Sequence, residues 1–277
     1  MRPLSSDQAD RIPSPYTVDA GHVQVETELV NYFYANRSER LFTDTYTRVT
    51  ELFTWNPCIK IGLCKSADFE VQVSSFSKSF HDSISTAGGT YYLSGLQSYG
   101  LHTAPGSYPT MFTNSPTRYD FRASSTGFGA VSPKFKINLW GNDGGPTSLA
   151  IIPFLHIPVN GNSDVNGGLA IPFAIRLPKG FSLKLDSEAF SVSGFGQREA
   201  GFQNSVSITK TLNRRFEVFA NFSSYVTTRP LSEWGGYAGF GGTYNFTRNF
   251  QAYAGMRFGL TSNAYDYNPY FGVVVRF

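Results

Sequence analysis

The chain has 277 residues, of which 41% are hydrophobic, 16% aromatic and 16% charged. The charged fraction is low against about 25% in an average soluble domain, and 27 glycines and 15 prolines are spread over the whole length. This composition argues against a helical bundle, a coiled coil or a disordered chain. The net charge of +3 is too small to indicate a nucleic-acid partner. No apolar run approaches the roughly 18 residues that a transmembrane helix needs.

The first twenty residues differ from the rest of the chain. They contain Pro3, Pro13 and Pro15 and show no hydrophobic periodicity. We therefore expect residues 1–20 to form an extended N-terminal arm that precedes the first strand.

From residue 21 onward, apolar residues alternate with polar ones in segment after segment. The pattern predicts about twelve β-strands, most of them near the ~9–11 residues that a tilted strand needs to cross a bilayer. The predicted strands are 22–35, 45–63, 69–80, 131–141, 147–159, 167–177, 181–192, 198–211, 215–228, 235–246, 249–262 and 267–277. Within 181–192, Leu183 and Leu185 share one face. Lys184, Asp186 and Glu188 share the other, as expected for lipid outside and water inside.

The connections between these strands alternate in length. Short ones such as 142–146 and 178–180 alternate with longer ones such as 36–44 and 160–166. Short periplasmic turns and longer outer loops produce this rhythm. We predict an all-β fold, a transmembrane antiparallel up-and-down β-barrel over residues 21–277, with both termini in the periplasm. A soluble all-β fold also alternates and is the alternative.

The stretch of about 81–130 is predicted to be a long extracellular loop, but it exceeds the usual length of a plain loop. It either folds into the barrel mouth as a constriction, presents an aromatic surface to an apolar solute, or caps the barrel. Its aromatic residues are Tyr91, Tyr92, Tyr99, Tyr108, Phe112, Tyr119 and Phe121.

The last predicted strand ends on an aromatic residue. Phe271, Val273, Val275 and Phe277 share one face, and the chain stops at Phe277. Such a strand is similar to the signal that the barrel-assembly machinery reads in outer-membrane proteins. An ordinary edge strand is the alternative, and closure against the first strand would remove that edge.

Three segments carry a family resemblance. They are residues 2–7 with 14–27, residues 138–145 with 152–153, and residues 168–172 with 177–182. Together they resemble the outer-membrane family named for the meta-pathway of phenol degradation, which consists of transporter-like barrels. The resemblance implies passage of small, often aromatic or apolar molecules, and it brings no catalytic residues.

Charged side chains on the inward face are the candidate functional residues. The lumen-lining candidates are Glu26, Glu28, Arg48, Lys60, Lys184, Asp186, Glu188, Glu217, Arg257 and Arg276. They form either a polar path that selects solutes or a set of mutually paired groups that only fills the barrel. Eight strands enclose a filled interior and ~16–18 an aqueous channel, so twelve leave both open. Since the first and last strands meet on closure, we expect Glu26 and Glu28 to lie beside Arg257 and Arg276.

The sequence contains few residues in patterns that indicate a catalytic site or a metal site. A barrel-wall hydrolase needs a nucleophile within reach of an oriented His, yet only His22 and His156 fall in predicted strands. Cys58 and Cys64 lie too far apart on one extended segment for a disulfide. We predict no catalytic residue, no metal site and no cofactor.

These patterns together predict an outer-membrane channel or transporter of a Gram-negative bacterium, and not an enzyme. The expected partners are outer-membrane lipid, the barrel-assembly machinery and a small-molecule solute that is either aromatic or polar, with no nucleic acid. Such a protein is exported, and we expect a signal peptide that this sequence lacks. A barrel-wall lipid hydrolase and a non-conducting structural barrel are the alternatives.

Overall fold

The computed structural model describes residue 2 and residues 4–41, 44–86, 89–92, 110–113, 117–159, 164–194, 197–228 and 234–277. No helix in these ranges is long and apolar enough to cross a membrane. The strands are β1 Val23–Leu41, β2 Asp44–Trp55, β3 Cys58–Cys64, β4 Ala67–Thr86, β5 Gly89–Tyr92, β6 Thr110–Thr113, β7 Thr117–Trp140, β8 Thr147–Pro158, β9 Asn166–Leu177, β10 Phe181–Gly194, β11 Gln197–Thr211, β12 Phe216–Thr227, β13 Gly235–Asn245, β14 Phe250–Gly259 and β15 Tyr267–Arg276.

The strands close into an antiparallel barrel. In the described part of the chain, one 13-stranded sheet runs β15-β14-β13-β12-β11-β10-β9-β8-β7-β4-β2-β1-β3, with further pairings of β15 with β1 and of β4 with β3. Strands β2 and β3 both pair with β1 on one side and with β4 on the other, so together they act as one strand of the barrel. With this pair counted once, the barrel has twelve strands. The predicted up-and-down barrel of about twelve strands is confirmed.

The predicted strand 45–63 is wrong in one respect. The structure divides it into β2 and β3, separated by Asn56 and Pro57. Proline has no backbone N–H to donate to a neighbouring strand, so the ladder is interrupted there.

The chain forms two compact units. The first comprises residues 1–35, 51–78 and 125–277, and the second comprises residues 36–50 and 79–124. In the second unit, β5 and β6 pair from Gly89 opposite Thr113 to Tyr92 opposite Thr110. The predicted loop at 81–130 is therefore wrong in extent, because β4 continues to Thr86 and β7 begins at Thr117. Tyr99 and Tyr108 lie outside the described residues.

The first unit has its apolar side chains on the outside and its charges inside. In β3, Ile59, Ile61 and Leu63 are exposed, whereas Lys60 is 2% exposed. This is the reverse of a soluble protein and fits an apolar surrounding medium. The interior also holds a small apolar cluster in which Ala9 packs against residues of β12, β14 and β15. Those wall residues are Phe219, Tyr253, Tyr270 and Val274.

The last strand closes the barrel through β1. Gln24 lies opposite Arg276, Val25 opposite Val275 and Thr27 opposite Val273. Phe271 is 40% and Phe277 71% exposed on the outer surface, whereas Val274 between them is buried. The edge of the terminal strand is therefore paired along its length.

Candidate functional site in the barrel lumen

The N-terminal arm, defined as residue 2 and residues 4–20, lies inside the barrel of the first unit. Ile12 is 1% and Ser14 0% exposed. The Tyr253 hydroxyl donates to Gln8 Oε1 at 2.8 Å, and the Tyr270 hydroxyl donates to the Ala9 carbonyl at 3.0 Å. On another side of the lumen, Asn138 Nδ2 donates to the Pro15 carbonyl at 2.8 Å. The arm is thus held by several separate strands.

A cluster of five buried ionic groups holds the middle of the arm. Asp7 Oδ2 lies 2.5 Å from Lys60 Nζ on β3 and 2.9 Å from Lys136 Nζ on β7. Lys60 also pairs with Glu26 at 2.6 Å, and Lys136 with Glu70 at 2.8 Å. Burial raises the pKa of Asp7, but the two ammonium groups outweigh it and hold that pKa well below its ordinary value.

Glu26 binds the turn of the arm as well as Lys60. Its Oε2 accepts from Ser6 Oγ at 3.0 Å and from the backbone N–H of Asp7 at 3.0 Å and of Gln8 at 3.3 Å. A carboxylate that accepts several N–H groups forms strong, charge-assisted bonds. Glu26 on the lumen wall therefore binds the backbone of the arm directly.

Two further ion pairs anchor the following residues. Arg11 pairs with Glu28 and donates to Asn31 Oδ1 at 2.9 Å. Its guanidinium also lies over the Tyr270 ring, 4.3 Å from the centroid. On the opposite wall, Lys184 Nζ lies 2.6 Å from Asp10 Oδ1. Cationic and anionic residues of the arm thus each find an opposite charge on the wall.

The four residues Glu26, Glu28, Arg257 and Arg276 have their direct contacts with other partners. Glu26 pairs with Lys60 and Glu28 with Arg11, while Arg257 donates to Asn268 Oδ1 at 2.8 Å. Arg276 donates to the Arg2 carbonyl at 2.9 Å and lies 3.8 Å from Asp19. Glu28 and Arg257 are connected through the hydrogen-bonded side chains of Asn31 and Asn268 rather than by a direct ion pair.

The remaining predicted lumen residues fall into three places. Asp186 and Glu188 lie on the inner face of β10 beside Lys184, and Glu217 accepts from Thr211 Oγ1 at 2.9 Å nearer the short turns. Arg48 belongs to the second unit, where it forms a two-point ion pair with Asp82 at 2.7 and 2.8 Å. It is therefore not part of the lumen cluster in the first unit.

Sequence reasoning missed the residues of the arm that complete the cluster. Asp7, Asp10 and Arg11 have no periodicity that marks them as inward. The available signal was the concentration of charged and hydrogen-bonding side chains over residues 5–11, which is unusual for a linker that is only solvated.

The arm separates two cavities of the lumen. The first, of about 360 Å³, is lined by Asp7 and Arg11 of the arm and by Glu188 and Gln203 of the wall. The second, of about 180 Å³, is lined by Ser6 and Asp10 together with wall residues nearer the short turns, among them Lys184 and Thr209. A third cavity of about 480 Å³ lies at the short-turn end and has an arginine-rich lining: Arg2, Arg214, Arg215, Arg248 and Arg276.

One Ser–His pair faces the first cavity. Ser132 Oγ lies 3.0 Å from His156 Nδ1. In the described ranges no carboxylate contacts the other ring nitrogen, whereas a hydrolase triad needs an orienting group there. The same ranges contain no cluster of three or more His, Cys, Asp or Glu side chains suited to a metal ion. Cys58 and Cys64 are not joined, and they lie at opposite ends of β3.

The chain belongs to a protein family that is named for a pathway of phenol degradation. The sequence model described as "Putative MetA-pathway of phenol degradation" matches residues 64–277. No curated protein sequence matches the chain.

Solved outer-membrane barrels share the fold. An outer-membrane channel from Pseudomonas putida F1 superposes with a TM-score of 0.58 at 10% identity, covering 99% of this chain and 100% of that one. The NanC porin superposes with a TM-score of 0.52 at 10% identity, covering 91% of this chain and 98% of that one. The fold is that of an outer-membrane β-barrel.

Proposed function

We propose that the protein is an outer-membrane channel for small solutes whose lumen is closed by its own N-terminal arm. The observation that carries the proposal is the separation of two polar cavities by the arm. A barrel that served only as a structural element would need no such cavities on either side of a docked segment. The arm is held by ion pairs and hydrogen bonds, which contacts with water can replace. The arm can therefore leave the lumen without unfolding of an apolar core.

The orientation in the membrane follows from the same proposal. Short turns face the periplasm in bacterial barrels, which places the termini and the arginine-lined cavity on that side. The first cavity then faces the outside of the cell. The outward-facing side chains of Phe271, Val273, Val275 and Phe277 would meet lipid and, before insertion, the barrel-assembly machinery.

The transported solute is small. The cavities of about 360 and 180 Å³ accommodate single-ring compounds or hydrated ions. Membership of the phenol-degradation family favours aromatic compounds, whereas the charged lining suits polar ones. Measurement of the uptake of an aromatic compound and of a polar compound into proteoliposomes shows which of the two classes passes.

The test of the channel function is single-channel recording of refolded, heat-modifiable protein in a planar bilayer. Discrete conductance steps are expected, each of which marks a transient release of the arm from the lumen. A folded barrel that remains silent under all applied voltages, together with proteoliposomes that admit neither solute class, would contradict the proposal.

The Ser132–His156 pair carries the second candidate function, hydrolysis of lipid. The test is mass spectrometry of membrane lipids incubated with the wild type and with Ser132→Ala. If the protein is a channel alone, both samples give the same lipid profile. New fatty acid or lysolipid that depends on Ser132 would establish the hydrolase.

A further inference from the structure

The inner face of β10 and β11 contains buried oxygen atoms that no protein group satisfies. Asp186 is 3%, Ser205 5% and Ser207 1% exposed. In the described part of the chain, both carboxylate oxygens of Asp186 and the hydroxyls of Ser205 and Ser207 lack a hydrogen-bond partner. Buried polar groups are almost always paired, and an unpaired carboxylate is the most costly of them.

These atoms belong to one small region of the wall. Asp186 lies directly opposite Ser205, and Lys184 lies opposite Ser207, so the three oxygen-bearing residues are neighbours on one face. Glu188 follows two residues after Asp186, so the two side chains share the inner face of β10. Two carboxylates on one buried face repel each other, and a cation bound beside them relieves that repulsion.

The charges around this region are not balanced. Lys184 is engaged with Asp10, and Asp7 with Lys60 and Lys136. Lys134 lines the first cavity together with Glu188 and is the ammonium that remains to offset these two carboxylates. Two carboxylates against one ammonium leave one negative charge, which a single monovalent cation neutralises.

We propose that Asp186, Glu188, Ser205 and Ser207 bind a small monovalent cation on the inner face of β10 and β11. The ligands are carboxylate and hydroxyl oxygens, which are hard donors suited to alkali-metal ions. The hydroxyl oxygens coordinate the ion through their lone pairs, and the positive charge of the ion offsets the repulsion between the two carboxylates. The bound ion stabilises a wall segment that otherwise contains four unsatisfied oxygens.

The position of the site gives it a role in passage. Glu188 and Gln203 line the first cavity, and Lys184 and Thr209 line the second. Asp186, Ser205 and Ser207 lie between these pairs on the same two strands, so an ion that moves from one cavity to the other along this wall meets the site when the arm is displaced. The site thus makes small cations the favoured solute of this route. The preference for cations as solutes rests on the proposed channel function, whereas binding of the ion does not.

Binding is tested without any conductance measurement. The thermal unfolding midpoint of the detergent-solubilised full chain is compared in KCl and in choline chloride at equal ionic strength. Wild type is expected to melt about 3 °C higher in KCl, as for an ion present at roughly ten times its Kd. Asp186→Asn should remove the difference. The control Asp164→Asn removes the same charge at an exposed position, and it should keep the difference.

Selectivity tests the route. In a KCl gradient, the reversal potential of wild type should indicate preference for K⁺ over Cl⁻, and Asp186→Asn should reduce that permeability ratio severalfold while Asp164→Asn leaves it unchanged. Ser205→Ala/Ser207→Ala, which keeps the charge, should weaken the thermal effect and serves as a second variant if Asp186→Asn does not fold.

The outcomes separate the two proposals. Equal melting of wild type in KCl and choline chloride, or a KCl effect that survives in Asp186→Asn, overturns the cation site. A silent bilayer with an intact, Asp186-dependent KCl effect overturns the channel function and leaves the cation site standing.

Discussion

Asp7 and Lys60 are 53 residues apart in sequence, yet the Asp7 carboxylate accepts from the Lys60 ammonium at 2.5 Å inside the barrel. The contact joins the N-terminal arm to a membrane-spanning strand in a region where both groups are largely removed from water. Breaking such a pair leaves a buried charge with fewer partners, which costs far more than loss of a surface pair. The arm is therefore a docked part of the barrel interior.

Replacement of Asp7 by Asn should loosen the arm. Lys60 and Lys136 keep Glu26 and Glu70 as partners, so we expect a cost in docking of about 2–3 kcal/mol. Trypsin should then cleave after Arg11, which the docked arm protects. The measurement is the mass of the digestion products in detergent over time.

The matched control for that experiment is Asp143→Asn. Asp143 also binds the arm, through Arg2 Nε at 2.9 Å, but its side chain is 74% exposed. A surface pair contributes about 0–1 kcal/mol. The account is contradicted if both variants are cleaved at the same rate.

The closed state should persist in mild acid. The pKa of Asp7 is lowered in the folded protein, so its contribution to docking is complete above the ordinary carboxyl value and is lost only as pH falls through the lowered value. The ratio of the conductance of Asp7→Asn to that of wild type is therefore expected to stay constant from pH 7 down to about pH 4. A rise in conductance within this window that disappears in Asp7→Asn would show that the Asp7 pairs are weaker than their geometry indicates.

Replacement of Arg11 by Met should destabilise the folded protein. Met retains the apolar stem but leaves Glu28, which is 1% exposed, without its cationic partner. The expected loss is about 3 kcal/mol in the free energy of unfolding. Equilibrium urea unfolding, followed by tryptophan fluorescence, measures it.

Arg198→Met is the control for the Arg11 variant, because Arg198 is exposed on β11 and far from the arm in sequence. Its effect should stay within about 0.5 kcal/mol. Equal unfolding curves for the two variants would mean that the Arg11–Glu28 pair contributes nothing to stability.

Phe277→Ala should impair insertion in cells more than it impairs the folded barrel. Phe277 is largely exposed and lies at the end of the outward face of β15, so its removal creates no cavity. We expect less heat-modifiable protein in the outer-membrane fraction but an ordinary refolding yield in detergent. Phe258→Ala, which truncates an exposed ring on β14, is the comparison. Identical membrane levels of the two variants would argue against a signal at the C-terminus.

The barrel could be predicted from the sequence because its surrounding medium imposes a period of two on every strand. In β15 the apolar residues Phe271, Val273 and Val275 face outward as this rule requires, and the predicted closure against the first strand is present in the register of Gln24 and Arg276. The division of β2 from β3 was missed because Asn56 and Pro57 interrupt the ladder without disturbing the overall spacing of the segment.

The arm could not be placed from the sequence. Its residues follow no period, and their partners are assembled only when the barrel closes; Asp7 and Lys136 are 129 residues apart. Parity correctly assigned Lys60 and Glu26 to one surface of the barrel. Parity carries no information on a segment that lies inside the barrel, and so the pairing of Glu26 with Lys60 and of Glu28 with Arg11 could not be predicted.

The closing role of the arm is tested most directly by single-channel conductance of a variant that lacks residues 2–17. This deletion removes Asp7, Asp10 and Arg11 together with the residues that separate the two cavities, and it leaves every strand intact. The account predicts a severalfold larger conductance than that of the full chain at the same voltage and salt. Equal conductance of the two proteins, both shown to be folded by heat-modifiable migration, would contradict it.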